Sequence, residues 1–304
     1  MLNLSSRSQK VTPNVWSTMS AYQNTLGQSV SFQGIGTHSA EQITMTVKPA
    51  VVDNGITFVR SDLPKSRPIS ARWDCVSDTT CSTTISNAQG QSVSTIEHIM
   101  AALYACEIDN AVIEISGGEV PIMDGSSKAF IEPLMRAGIF PQSKTRKSIK
   151  ILKTIMVRED SDRWISISPH ETFFMDCEFH FAGRADFPRQ KYTGEMTPEV
   201  FRHDIASART FGFVEDVIKL RSMGLAQGSS LQNAVCIQEG KVINPEGLRY
   251  EDEFIRHKIL DAIGDLYTAG APIKGLVRGT RTGHGMLNQL LRAIFADPSH
   301  WSYA

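Results

Sequence analysis

Three things are scarce in this chain, and each scarcity argues against a class of protein. Cysteine is the first. Of 304 residues only 5 are cysteine, at positions 75, 81, 106, 177 and 236, and no two are spaced C-x-x-C. That argues against a disulfide framework and a thiolate zinc cluster, and it suits a reducing, cytoplasmic setting. Any metal must then be held by histidine and carboxylate. Net charge is the second. The 31 basic residues against 32 acidic ones leave a formal charge of -1. With no basic surplus to neutralise a row of phosphates, nucleic-acid binding is not expected. Long apolar runs are the third. None approaches the roughly 18 residues of a membrane-spanning helix, so stable membrane insertion is not expected either. What remains is a 41% hydrophobic, 21% charged chain, long enough for one large domain or two medium ones.

Residues 1–28 are rich in Ser, Thr, Asn and Gln and carry only Arg7 and Lys10 as charges. Two basic residues and no clear apolar segment give little support to a transit peptide, and a poorly ordered tail is the expectation. Residues 29–33 and 42–48 alternate as strands around Gly34-Ile-Gly-Thr-His-Ser39, whose glycines predict a tight connection with His38 at its tip. Short strands are expected at 54–60 and 79–85, a helix at 94–105, a buried strand at 111–115 and a second helix at 127–137. The polar stretch 142–147 is the expected linker between a first domain over 29–141 and a second over 148–304. Beyond it the order restarts, with strands at 149–157, 164–168 and 173–181 and a helix near 198–206. Then come a loop-rich apolar stretch at 210–227, a strand at 234–237, a helix at 251–267, a strand at 273–277 and a last helix at 285–296. Strands followed by helices in each half predict an α+β fold of two similar domains facing one another.

The helix at 251–267 is chemically the most telling segment. His257, Asp261 and Asp265 follow one another at four-residue steps and so share one side of the helix. Ile255, Ile259, Ile263 and Leu266 lie far round it, at about 100° per residue. An imidazole and two carboxylates are ligand types that zinc accepts, although mixed charge on a solvated helix face is the bland alternative. Glu97-His98 adds a second imidazole and a carboxylate. On local sequence Ser94 to Glu97 also fits a capping box, a purely structural use of Glu97, and a lone His98 would serve as a core histidine. His98, His257 and Asp261 together would leave a fourth tetrahedral position for water, as a catalytic zinc site requires, and would also accept iron(II) or cobalt(II). A carboxylate nearby, such as Glu97, could act as general base on that water.

Two further segments offer chemistry. In Arg281-Thr-Gly-His-Gly285 a histidine flanked by glycines sits on accessible backbone. Protonated and held by a carboxylate such as Asp265, His284 could stabilise an oxyanion and give a proton to a leaving amine. An exposed loop histidine of no consequence is the alternative. Arg281 could meet a phosphate, or be an ordinary surface arginine. In Ala208-Arg-Thr-Phe-Gly-Phe-Val214, Thr210 could donate to a carbonyl oxygen. The apolar residues that follow, Val217 to Leu225, could line a groove for a long apolar ligand or form a small core.

Thr95-Ile-Glu-His98, Pro121-Ile-Met-Asp-Gly-Ser126, Ser207-Ala-Arg-Thr-Phe-Gly-Phe213 and the run from Arg249 to Leu266 together resemble the zinc-dependent UDP-3-O-acyl-N-acetylglucosamine deacetylases of lipid A biosynthesis. Gly34 to Ser39 and Gly283-His284 extend the match to nearly the whole chain. The resemblance implies two α+β domains, each a sheet layered on helices, with the site between the helical layers. It implies one zinc ion on His98, His257 and Asp261, with Glu97 as base and His284, paired with Asp265, as stabiliser and acid. Thr210 would contact the oxyanion and Lys258 would line the site. Phe211, Gly212 and the residues up to 227 would form a hydrophobic passage for the sugar's 3-O-acyl chain, in an insert near 210–237. Arg281 would face the nucleotide diphosphate, and His38 would stand at the rim. The reaction would free acetate and the glucosamine amine, the committed step of the pathway, in a protein expected to be a monomer. Thr37 and Ser82 depart from common family residues and concern the rim. A metal phosphohydrolase, or a non-catalytic descendant that binds a lipid-like ligand, are the competing classes.

Overall fold

The computed structural model describes residues 21–184 and 187–304. Its first half supplies strands β1 (Tyr22–Leu26), β2 (Val30–Ile35), β3 (Gln42–Pro49), β4 (Ile56–Arg60) and β5 (Ile69–Ser70), then a small set β6 (Val76–Asp78), β7 (Thr84–Ser86) and β8 (Ser92–Val93). Helix α1 (Glu97–Ala105), strand β9 (Ala111–Ile115) and helix α2 (Lys128–Arg136) complete it. Five strands form a mixed sheet in the order β2-β3-β9-β4-β5, with β4 and β9 parallel and the other pairs antiparallel. Along β3 the side chains of Ile43, Met45 and Val47 are buried and those of Gln42 and Thr44 exposed. One face of a pleated strand goes to the core and the other to water. Every residue of α1 is buried, as expected of a helix covered on all sides.

Strand β10 (Ile139–Thr145), paired with β1, bridges to the second half, which begins with β11 (Ile149–Ile151), β12 (Ile155–Arg158), β13 (Trp164–Ser168), β14 (Phe173–Phe179) and β15 (Gln190–Glu195). A short turn of helix, α3 (Pro198–Val200), leads to β16 (Phe211–Phe213), α4 (Val214–Ser222), β17 (Val235–Gln238) and β18 (Lys241–Val242). Helix α5 (Glu253–Tyr267), strand β19 (Ile273–Thr280), helix α6 (His284–Phe295) and strand β20 (Trp301–Tyr303) follow. A seven-stranded sheet is built around β19, which pairs parallel with β14 and β11 and antiparallel with β13. Helix α5 packs on β14, β15 and α6, and α6 packs on β12 and β13, while α1 and α5 meet face to face. One apolar core runs through both halves, from Phe58 and Ile99 to Leu260 and Val277. The architecture is thus α+β, with helices of both halves meeting between sheets. Among the described residues no helix is long and apolar enough to cross a membrane.

The strand expected at 79–85 is confined to Thr84–Ser86, and two segments at the expected domain edges also differ from what the sequence suggested. Tyr22–Leu26, inside the expected tail, is strand β1, paired antiparallel with β10. Its polar residues are satisfied rather than solvated: the Asn24 N–H donates to Asp109 at 2.9 Å and the Thr25 hydroxyl to the Asn110 carbonyl at 2.7 Å, while Leu26 is buried. Residues 1–20 lie outside the described residues. The expected linker is likewise structured in part. Residues up to Thr145 belong to β10, and Arg146 makes ion pairs with Glu107 and Asp109 at 2.9 and 2.7 Å. A polar stretch reads as a linker until its pairing partner, remote in sequence, is known.

Candidate active site

The helices α1 and α5 cross where Gly264 faces the first residue of α1. A β-carbon at Gly264 would lie 1.9 Å from the Glu97 carbonyl oxygen, so only glycine lets the backbones approach this closely. That crossing places Glu97 and His98, at the start of α1, against His257, Asp261 and Asp265 on α5. The helix Glu253–Tyr267 is buried on almost all sides, so its polar stripe faces the other helix and not solvent. Just before α1, Thr95 adopts φ 59°, a left-handed conformation uncommon for a residue with a side chain. No capping box forms at this end. Ser94 Oγ donates to the Gly118 carbonyl, and Glu97 Oε2 instead accepts from the Thr83 N–H at 3.0 Å.

His98, His257 and Asp261 offer three donor atoms within 4.8 Å of one another. The Nε2 atoms of His98 and His257 stand 3.5 and 3.3 Å from Oδ1 of Asp261, and the two imidazole planes are 89° apart. His257 Nδ1 lies 3.1 Å from the Ala208 carbonyl, which can only accept, so Nδ1 carries the proton and Nε2 presents its lone pair. Lys258 holds the other oxygen of Asp261 at 2.9 Å. Burial pushes the His257 imidazole down to about 3, which keeps it neutral. Burial alone would raise Asp261, but the neighbouring His257 and Lys258 outweigh it and hold the carboxyl well below its ordinary range. Two imidazoles, at least one of them held neutral, and one carboxylate converging on one point fit a divalent metal ion.

Beside this group lies a second cluster, Glu97, Asp265 and His284. His284 opens α6, and its Nδ1 donates to Oδ2 of Asp265 at 2.7 Å, while its Nε2 lies 4.0 Å from Oε1 of Glu97. Burial works against charging His284. The two carboxylates, Asp265 first, overcome it and raise the imidazole to about 10, so it is a cation at neutral pH. Burial raises the Glu97 carboxyl above its usual value, against the pull of His284. A buried carboxylate of raised basicity beside a fixed imidazolium is an arrangement suited to moving protons.

A cavity of about 430 Å³ opens from Glu97 and His98. Thr210, Phe211 and Gly212 line it, followed by Val217, Ile218 and Leu220 of α4. No residue of α4 is buried, so its apolar stripe forms a wall of the cavity and not a small core. Thr210 is set by its backbone, which donates to the Gly125 carbonyl at 2.8 Å and accepts from Val235 at 2.7 Å. Gly125 needs to be glycine, because φ is +83° and a β-carbon would meet the Asn233 carbonyl oxygen at 2.1 Å. His38 also lines the cavity. Its ring accepts from the Ala226 N–H at 3.3 Å, and burial lowers its basicity against the opposing charge of Glu119. Arg281 lies apart from the cavity lining, ion-paired with Asp162 at 3.1 Å.

Several positioning groups carried no signal in the sequence. Glu119 accepts from the N–H groups of His38 and Ser39 at 2.8 and 2.9 Å and from the Thr95 hydroxyl, tying the His38 loop to the start of α1. Arg209 and Glu253, both buried, pair at 2.9 Å, and Glu253 also accepts from the N–H groups of Arg209 and Arg249. This pair pins the segment carrying Ala208 and Thr210 to the first turn of α5. Of these, Arg209 and Glu253 stand in recognisable runs, the first next to Thr210 and the second between Arg249 and Leu266.

Comparison with known proteins leads the same way. A UDP-3-O-acyl-N-acetylglucosamine deacetylase of Shewanella halifaxensis is 45% identical over 282 residues, covering 92% of each chain. The enzyme of the same name from Shewanella loihica is 44% identical over 282 residues, again 92% of each. That from Shewanella frigidimarina is 43% identical over 285 residues. The family model described as LpxC: UDP-3-O-acyl N-acetylglycosamine deacetylase matches residues 23–296, a span that contains both clusters and the cavity. With 92% of its length aligned to such relatives and the matched span holding every group described above, the chain belongs to the UDP-3-O-acyl N-acetylglycosamine deacetylase family.

Proposed function

We propose that His98, His257 and Asp261 hold one zinc ion, and that Glu97, His284 and Asp265 move the protons of an amide hydrolysis beside it. As a member of its family, the chain is a hydrolase that removes the acetyl group of UDP-3-O-acyl-N-acetylglucosamine in lipid A biosynthesis. The observation that carries the site assignment is the convergence of the two clusters at one end of an apolar cavity. When bound, the ion supplies Lewis acidity, lowering the pKa of water and polarising a carbonyl; iron(II) or cobalt(II) would suit the same donors.

The chain's own residues supply the rest. Glu97 accepts a proton from the attacking water, and its raised basicity suits a base working near neutral pH. The water oxygen bonds to the acetamido carbon, and the carbonyl oxygen takes up negative charge that His284, a cation, stabilises. The Thr210 side chain, which lines the cavity, is read as a donor to the same oxygen. The carbon–nitrogen bond then breaks, the glucosamine nitrogen takes a proton from His284, and acetate leaves. Asp265 keeps His284 oriented and charged, and Lys258 engages one oxygen of Asp261 so that the other faces the imidazoles.

We read the cavity bounded by Phe211, Gly212, Val217, Ile218 and Leu220 as the passage for the 3-O-acyl chain, with His38 at its rim. Arg281 is read as a contact for the diphosphate, reached by exchanging Asp162 for the ligand. Residues 29–141 and 148–304 are read as two domains of a monomer working in the cytoplasm, where five free cysteines and a nucleotide-sugar substrate both fit. The test is acetate release from UDP-3-O-(3-hydroxyacyl)-N-acetylglucosamine by protein stripped of metal and then given one equivalent of zinc. Activity should vanish and return. Turnover that survives complete stripping would end the metal reading.

A further inference from the structure

We propose that Thr83 is a positioning residue that keeps the two proton-carrying arms of the site in register. The inference rests on the roles given above to Glu97 and to the Asp265–His284 pair. Thr83 is buried, precedes β7, and belongs to none of the helices that supply those arms. All three of its polar groups are engaged. Its N–H donates to Oε2 of Glu97 at 3.0 Å, its hydroxyl lies 2.5 Å from Oδ1 of Asp265, and its carbonyl accepts from the N–H of Ile96 at 3.3 Å. An ionised carboxylate only accepts, so the Thr83 hydroxyl is the donor.

The consequence is a division of oxygens. Asp265 has His284 on Oδ2 and Thr83 on Oδ1, so two bonds set the plane of its carboxylate. Glu97 has Oε2 engaged by Thr83, which leaves Oε1 on the side of His284 Nε2 as the oxygen that faces the reacting water. One residue thus sets both the oxygen that receives the first proton and the carboxylate that aims the donor of the second. It is not itself part of the cavity lining, and its hydrogen bonds go to Glu97, Asp265 and Ile96, none of them a candidate metal ligand. Its loss should therefore lower kcat and spare KM and metal binding.

The test uses the zinc-loaded full-length protein. Thr83→Val keeps the shape and removes the hydroxyl, whereas Thr83→Ser keeps the hydroxyl. Thr83→Val should lower kcat about tenfold or more, with KM and zinc content within about twofold of wild type, and Thr83→Ser should recover most of the rate. In an Asp265→Asn background Thr83→Val should cost little more, because the bond it removes no longer aims an anion. If Thr83→Val does not fold, Thr83→Ala is measured in the same way. A kcat within twofold for the hydroxyl-free variant overturns the proposal, as does a Thr83→Ser enzyme no better than Thr83→Val. Glu97→Ala separates the two layers of argument. If it is inactive while Thr83→Val is fully active, only the Thr83 inference falls; if it is active, the assignment of the base falls first.

Discussion

Replacing Gly264 by alanine tests whether the helix crossing builds the site. In isolation the change should help α5, since alanine is favoured over glycine in a helix by about 1 kcal/mol. Against that, the new methyl would stand 1.9 Å from the Glu97 carbonyl oxygen, 2.7 Å from its carbon and 3.0 Å from its Cα. These are backbone atoms, so no side-chain rotation relieves the contact, and the helices must part by about 1.5 Å to restore van der Waals distance. Overpacking of this kind costs about 1–3 kcal/mol. With no rotamer escape the upper end applies, for a net loss of about 2 kcal/mol. At about 2.1 cal/mol/K per residue a chain of this size shifts by about 1.5–2 °C per kcal/mol, so calorimetry should show Tm lower by roughly 3–4 °C. The functional effect should be larger. His98 rides on α1 and His257 and Asp261 on α5, whereas ligand distances tolerate only about 0.2 Å. Zinc affinity, measured by competition with a chelating dye, should fall about tenfold or more. A Gly264→Ala protein with unchanged or higher Tm and wild-type zinc affinity would show that the crossing is looser than described and does not build the site.

The remaining expectations concern individual groups. Glu97→Ala should bind zinc normally and lose about a hundredfold or more of its turnover, whereas His257→Ala should lose zinc affinity; metal titration alongside acetate release separates them. Because the folded-state pKa of His284 is raised to about 10 from 6.5, its charge stabilises the metal-free fold fully below 6.5. That contribution declines as pH rises and is gone above about 10. The stability gap between wild type and His284→Gln in urea unfolding should shrink over that interval, and a gap flat with pH would contradict the cationic assignment. At Gly212 a β-carbon would meet only Val217, at 3.8 Å, so Gly212→Ala should be tolerated while Gly212→Trp should cut activity on long-acyl substrates more than on short ones. Equal losses for both lengths would count against the cavity as the acyl passage.

Much of the α+β pattern is legible along the chain. Ile43, Met45 and Val47 alternate because a strand has period two, and the stripe of His257, Asp261 and Asp265 is visible because a helix brings every fourth residue to one side. Such signals are local, and local geometry is what sequence spacing encodes. Polar segments were the harder reading. Tyr22–Leu26 and the run through Thr145 looked unstructured because each is a strand only by virtue of the other. Glu97 looked like a cap because the Thr83 N–H that engages it comes from outside the helix.

Residue types and spacings offered a donor set of two imidazoles with one carboxylate, and the motifs along the chain pointed to its family. The tertiary structure alone decided that α1 and α5 meet, through a close approach at Gly264. It likewise decided that α4 walls a cavity, that Arg281 is engaged by Asp162, and that Thr83 joins two carboxylates from different helices. The physical reason is one of range. Backbone geometry repeats every two or 3.6 residues and is written along the chain, whereas a catalytic constellation is a set of distances between segments that only packing brings together.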